Sequence, residues 1–135
     1  MRIFDSDNGS WEDKVNFVDV NNVFVGYDMG HQCCEDTDWY ISENSNPDSD
    51  QSGQGDYDND FLESYVFDRT FQEFPEYHDA DDDDSWLYEG GTVSFRLTSP
   101  NKPDLYLHLY NCHNGFYGHG FEFKDNNEVI FNGVL

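Results

Sequence analysis

The residues in this chain with the clearest capacity for chemistry are carboxylates. In "EYHDADDDDSWLYEGG", residues 76–91, Asp79, Asp81, Asp82, Asp83 and Asp84 fall within six positions, directly ahead of Trp86. A second set, Asp48, Asp50, Asp56, Asp58 and Asp60, stands in "DSDQSGQGDYDND". Carboxylates at such density are hard oxygen ligands for a cation, or fixed negative charges for a cationic partner. A third group has softer donors: His31, Cys33 and Cys34 in one stretch, and Cys112 with His113 in another.

Calcium is one reading of the second set. Asp48, Asp50, Ser52, Gly53 and Asp56 match positions 1, 3, 5, 6 and 9 of an EF-hand-like loop, where oxygen ligands surround a sharp glycine turn. Position 12 is Asn59 instead of the bidentate Glu, and "SENSNP" ahead of the loop has no helical pattern. Zinc is the corresponding reading of His31, Cys33, Cys34, Cys112 and His113, as a tetrahedral thiolate and imidazole site. Adjacent cysteines seldom both reach one ion, the Cys-x-x-Cys spacing is missing, and free cysteine often serves as a small buried hydrophobe. A nucleophilic cysteine with His119 or His108 as base can be drawn, but nothing local singles it out.

Acid–base pairs among so many carboxylates carry little information about hydrolysis. The chain has no Gly-rich phosphate loop, HExxH, GxSxG or dinucleotide fingerprint. The expectation is a protein without catalysis and without a cofactor.

Charge narrows the partners. Asp plus Glu number 29 against 6 Lys plus Arg, a formal net charge of -23 over 135 residues, with a mean hydropathy of -0.84. Such values usually mark disorder. Here 18% of the residues are Phe, Trp or Tyr, so the expectation is one folded domain over 1–135 with an acidic surface. From Glu35 to Asp84 eighteen carboxylates face Arg69 alone, which leaves -17 in that segment and -6 in the rest. An acidic insertion at about 42–60 and the acidic run at 79–84 hold much of it. Direct binding to DNA or RNA and docking on anionic lipid are both opposed by this charge.

The same charge suits a mimic of nucleic acid. Duplex DNA carries one charge per roughly 1.7 Å of axis and is gripped by Lys and Arg surfaces. A stiff protein bearing carboxylates at similar density can enter those surfaces under the same steering. Asp48, Asp50, Asp56, Asp58, Asp60, Asp79 and Asp81 to Asp84 are the candidate phosphate substitutes. Trp86, with Tyr88, Tyr57 and Tyr77, supplies aromatic contacts of the type interfaces favour. The plainer alternative is a solubilising surface.

The elements that must hold these groups read mainly as strands. "TVSFRLTS" (92–99) alternates Val93, Phe95 and Leu97 with polar residues, and "DLYLHLYN" alternates Leu105, Leu107 and Leu109 with Tyr106, His108 and Tyr110. With the turn "SPNKPD", an Asn-Gly signal at 114–115, and "FYGHGFEF" and "EVIFNGVL" around "KDNN", the last 45 residues read as a four-stranded antiparallel meander. "VNFVDV", "NNVFVGYDM" and "DWYIS" add three strands upstream. In "NDFLESYVFDRTFQEF" (59–74) the spacing of Phe61, Leu62, Tyr65 and Val66 favours a helix, although its composition also suits a strand. The fold class is mainly β or α+β: a curved antiparallel sheet with one short helix and a long acidic loop.

No apolar run follows the charged N-terminal residues and no 18-residue apolar stretch exists, so a cytoplasmic protein without a membrane segment is expected. Its high charge points to a monomer or dimer. Two motifs, "GYDMGHQCCEDTDWYI" and "LYLHLYNCHNGFYGHGFEF", resemble those of a small uncharacterised phage and bacterial domain family. That family pairs a Tyr- or His-led Cys-Cys-Glu motif with a later Asn-Gly-aromatic-Tyr hairpin. The match falls on Tyr27, Cys33, Cys34 and Glu35, and on Asn114, Gly115, Phe116 and Tyr117, and spans roughly 22–131. The resemblance carries no activity. It implies a phage or mobile-element origin, hence the host cytoplasm and an inhibitor directed at a host protein. The acidic insertion after Trp39 departs from the family pattern.

Overall fold

The computed structural model describes residues 1–5, 13–30, 35–47, 55–70, 90–112 and 118–135, and the backbone of 73–78. Its strands in chain order are β1 (Arg2–Asp5), β2 (Lys14–Val18), β3 (Val23–Asp28), β4 (Asp36–Ser42), β5 (Val66–Phe67), β6 (Glu73–His78), β7 (Gly90–Thr98), β8 (Leu105–Cys112), β9 (Gly120–Asp125) and β10 (Glu128–Val134). One helical turn, α1 (Asn59–Leu62), precedes β5.

The strands form two antiparallel sheets. The first runs β1-β2-β3-β9-β10; the second runs β4-β8-β7-β5, with β6 also paired to β7. Period-two alternation turns one face of each inward. Val15 and Phe17 of β2, Val25 of β3 and Phe123 of β9 meet Val93, Phe95, Leu107 and Leu109 of the second sheet in one core. Phe123 stacks on Phe95 with centroids 5.6 Å apart and meets Phe67 edge-on at 6.1 Å. Each such fully buried aromatic contributes roughly 1.5–3 kcal/mol of transfer free energy.

The last four strands do not make one meander. β7 pairs with β8 in the second sheet and β9 with β10 in the first, so the chain crosses from layer to layer between the two hairpins. Both arrangements bury the same alternating side chains, which is why strand periodicity alone does not separate them. The Asn-Gly signal at 114–115 lies outside the described residues. The turn at Asn126 and Asn127 holds φ of 55° and 68°, the left-handed pair that a two-residue hairpin requires and that asparagine tolerates. The helix expected over 59–74 is confined to α1; β5 and β6 follow it as strands. β-branched and aromatic residues from Tyr65 onward gain more from pairing with β7 than from an isolated helix.

The outward face of β8 also departs from a solvated pattern: His108 and Tyr110 are buried, as are Thr92 and Ser94 beside them on β7. The second sheet is therefore polar but dry around His108 on the side away from the core, while Asp36 and Asp38 at its β4 edge are exposed.

Candidate functional site

Two edge strands, one from each sheet, lie on the same side of the sandwich and bring carboxylates together. β1 ends at Asp5, and β4 presents Asp36 and Asp38, all three exposed. On the opposite face of β4, Trp39 packs edge-on against Phe17 of β2 at 5.0 Å. The Thr37 hydroxyl lies 2.6 Å from that of Tyr27, which donates to the Tyr110 carbonyl at 2.7 Å. Those contacts fix the strand, and alternation then leaves Asp36 and Asp38 pointing away from it.

The segment ahead of α1 completes the edge. The Gly55 N–H donates to the Ile41 carbonyl at 3.2 Å, and the Tyr57 ring lies over Gly55 where any Cβ would collide with it. This sets Asp56 facing β4. A cleft of about 510 Å³ results, lined by Asp5, Asp38, Trp39, Asp56 and Tyr57 among others. A second hollow of about 310 Å³ shares Asp5 and Asp38 and adds Asp13, Met29 and Thr37. Partial burial of the Asp38 carboxyl, and then repulsion from Asp36 and Asp5, push its pKa up. Burial likewise raises Tyr57, with the Glu43 charge adding to it. The cleft is thus a place where negative potential accumulates against aromatic walls.

Of the carboxylates singled out in the sequence, Asp56 lines this cleft. Asp58 serves the fold instead, since its Oδ1 accepts the Phe61 N–H at 2.8 Å and caps α1. Asp60 is exposed in the first turn of α1. Asp48, Asp50, Asp79, Asp81, Asp82, Asp83, Asp84 and Trp86 lie outside the described residues. Sequence reading missed Asp5, Asp36 and Asp38; only the apposition of two sheet edges brings Asp5 to the β4 pair.

The metal readings fall largely outside the described residues: Asp48, Asp50 and Ser52 for calcium, and His31, Cys33, Cys34 and His113 for zinc. Cys112 is half-buried at the end of β8, opposite Asp36 in register. Among the described residues, no group of three His, Cys, Asp or Glu side chains is set to hold a metal ion.

Two histidines occupy buried polar clusters. Ser94 Oγ lies 2.6 Å from His108 Nδ1, and His108 Nε2 is 2.9 Å from the Asn44 carbonyl. A carbonyl only accepts, so Nε2 carries the hydrogen and Ser94 donates to Nδ1. This is a serine with a basic partner, yet Ser94 is 2% exposed and His108 0%. A substrate has no route to the hydroxyl, and the pair ties the 43–46 segment to β8. His119 Nδ1 donates to the Asp28 carbonyl at 2.9 Å, and its Nε2 meets Glu35 Oε1 at 3.1 Å, both side chains almost fully buried. That contact joins the start of β4 to the start of β9.

Among the described residues no helix is long and apolar enough to cross a membrane. Comparison with protein-family models finds no match, and comparisons with curated proteins and with solved structures find none either.

Proposed function

We propose that this protein is a non-catalytic acidic inhibitor that occludes the basic nucleic-acid-binding groove of another protein. The observation carrying this reading is the edge where Asp5, Asp38 and Asp56, remote in sequence, line one cleft beside Trp39 and Tyr57. A carboxylate on a floppy chain loses entropy when it is captured. Carboxylates fixed by strand pairing and core packing lose little, so more of the Coulomb attraction survives as affinity. The net charge of -23 steers a cationic groove toward the protein from beyond contact distance, and Trp39 and Tyr57 offer aromatic faces to guanidinium groups.

The targets that fit are DNA-handling proteins of the host cytoplasm, such as a CRISPR effector or a restriction enzyme, with the inhibitor supplied by a phage or mobile element. Inhibition is by steric and electrostatic occlusion, without turnover.

Capture from host lysate at low ionic strength tests this, followed by elution with either duplex DNA or salt. The expected result is retention of nucleic-acid-binding proteins that both agents release, with much weaker retention by an Asp5→Asn, Asp38→Asn, Asp56→Asn triple variant. Retention indifferent to ionic strength and to competing DNA overturns the proposal.

A further inference from the structure

We propose that the outer face of the first sheet is a self-association surface, on which a second copy of this chain packs face to face about a two-fold axis. The proposal concerns a different surface from the acidic cleft and does not depend on the function assigned to that cleft.

The face follows from register. Arg2 of β1, Val18 of β2, Phe24 of β3, Lys124 of β9 and Val129 of β10 form one cross-strand row. Their chain neighbours Ile3, Phe17, Val25 and Phe123 pack in or against the core, so alternation turns the row outward. Phe4 and Asn16 pair in the next row, which Glu122 continues, and Lys14 pairs with Asp28 in the row beyond.

Charge sets this face apart. Arg2, Lys14 and Lys124, half of the six Lys and Arg in the chain, stand on it with Asp28 and Glu122, a local balance of +1 where the whole chain carries -23. The other three basic groups are engaged elsewhere: Arg69 with Asp125, Arg96 with Asp68, and Lys102 with the Phe61 carbonyl. Two copies meeting through an acidic surface bring like charges together. Meeting through this face, they bring together groups of both signs, Lys14 opposite Asp28 at one end and Lys124 against Glu122 at the other.

The apolar part of the face fits the same partner. Phe4, Val129 and Val134 are 54, 47 and 55% exposed, and Val18 and Phe24 are half-buried on the same side. Apolar groups set among a few charges of both signs are the composition of a homodimer patch. Five strands about 4.8 Å apart and about six residues long span roughly 24 Å by 20 Å. A patch of that extent approaches the roughly 800 Å² of accessible surface that each partner of a standard interface buries. A two-fold axis closes the contact at two copies. Asp5 follows Phe4 directly and so faces the other side of β1, which leaves both acidic clefts of the dimer open.

The test is sedimentation velocity of the full chain from about 10 μM to about 1 mM, in about 0.05 M and about 0.5 M NaCl. Salt screens the residual repulsion between two chains of -23 and leaves apolar burial in place, so the dimer is expected to tighten about tenfold at the higher salt. Val129→Asp, on an exposed edge strand, should weaken it by about tenfold or more, because each dimer carries the added charge twice. Asn46→Asp makes the same change of charge in the exposed segment that His108 ties to the second sheet, and should dimerise as the parent does. Thermal unfolding confirms that both variants are folded. A monomer under every condition overturns the proposal and leaves the face to a different partner. A dimer that salt weakens, or that Val129→Asp leaves intact, overturns it too. Equal losses in Val129→Asp and Asn46→Asp would assign the effect to net charge and count against this face.

Discussion

Asp19 and Phe67 link the two sheets: Oδ2 of the buried Asp19 carboxylate accepts the Phe67 N–H at 2.9 Å, from the β2–β3 turn to β5. Oδ1 of the same carboxylate accepts the N–H groups of Asn21 and Val23, at 2.9 and 3.0 Å. One side chain thus shapes a tight turn and fastens it across the sandwich. The acidic edge depends on such links, because its carboxylates belong to strands of different layers.

Removing that carboxylate leaves three backbone donors without their acceptor, two of them in buried hydrogen bonds. Asp19→Ala is expected to cost about 3 kcal/mol, since each stranded buried group costs on the order of 1–3 kcal/mol. The urea midpoint of unfolding measures it. A midpoint equal to that of the parent chain would show that the turn holds without the carboxylate.

Glu35 and His119 form another interlayer fastening. With Nδ1 donating to Asp28, one proton must lie between Nε2 and Oε1. Glu35→Gln retains a donor toward Nε2 and is expected to cost about 1 kcal/mol, as for one neutral hydrogen bond. Glu35→Ala strands the imidazole and should cost about 3–5 kcal/mol. Chemical denaturation of both variants checks the ordering, and equal losses would refute it.

Most strands can be read from the chain because Val93, Phe95 and Leu97, or Val15 and Phe17, alternate with polar residues and need only one buried face to do so. β8 defeats the same rule: Tyr106, His108 and Tyr110 look like a wet face, whereas His108 is dry and hydrogen-bonded. Residues 59–67 are ambiguous in sequence, because Phe61, Leu62, Tyr65 and Val66 serve a helix or a strand equally. The Asp58 cap and the Val66–Phe67 pairing with β7 divide the segment between both. The acidic cleft is hidden for a different reason. Asp5 and Asp36 lie 31 residues apart, and only the order of strands at two sheet edges brings them to one surface.

Asp68 gives a stability signature in acid. The Thr70 hydroxyl first, and then the Arg96 guanidinium, hold its pKa down at about 2 from an ordinary 3.8. A depressed carboxyl stabilises the fold at any pH above its ordinary value and loses that contribution as pH falls through the folded value. Asp68→Asn should therefore cost about 1 kcal/mol at neutral pH, because solvent screens this partly exposed pair. The gap from the parent chain should stay constant down to about pH 5 and close near pH 2. Urea unfolding across that range follows it, and a gap independent of pH would assign the loss to packing.

Asp38 should behave in the opposite sense, because burial and then its neighbours Asp36 and Asp5 raise its pKa. A carboxyl whose folded pKa is raised opposes folding wherever it is charged, so the penalty is present above the folded pKa and absent below the ordinary one. The amide introduced by Asp38→Asn still offers an oxygen to the Trp39 N–H, which the carboxylate accepts at 2.8 Å. The substitution is accordingly expected to stabilise the fold at neutral pH by less than about 1 kcal/mol, given the exposure of the side chain. The gain should shrink as salt screens Asp36 and Asp5, and vanish in acid. The same substitution removes one of the charges proposed to steer the partner, so association should slow at low ionic strength while Tm rises. Paired measurements of Tm and association rate at low and high salt separate these effects. A fall in Tm at neutral pH would show that the Asp38 charge supports the fold, contrary to the electrostatics of this edge.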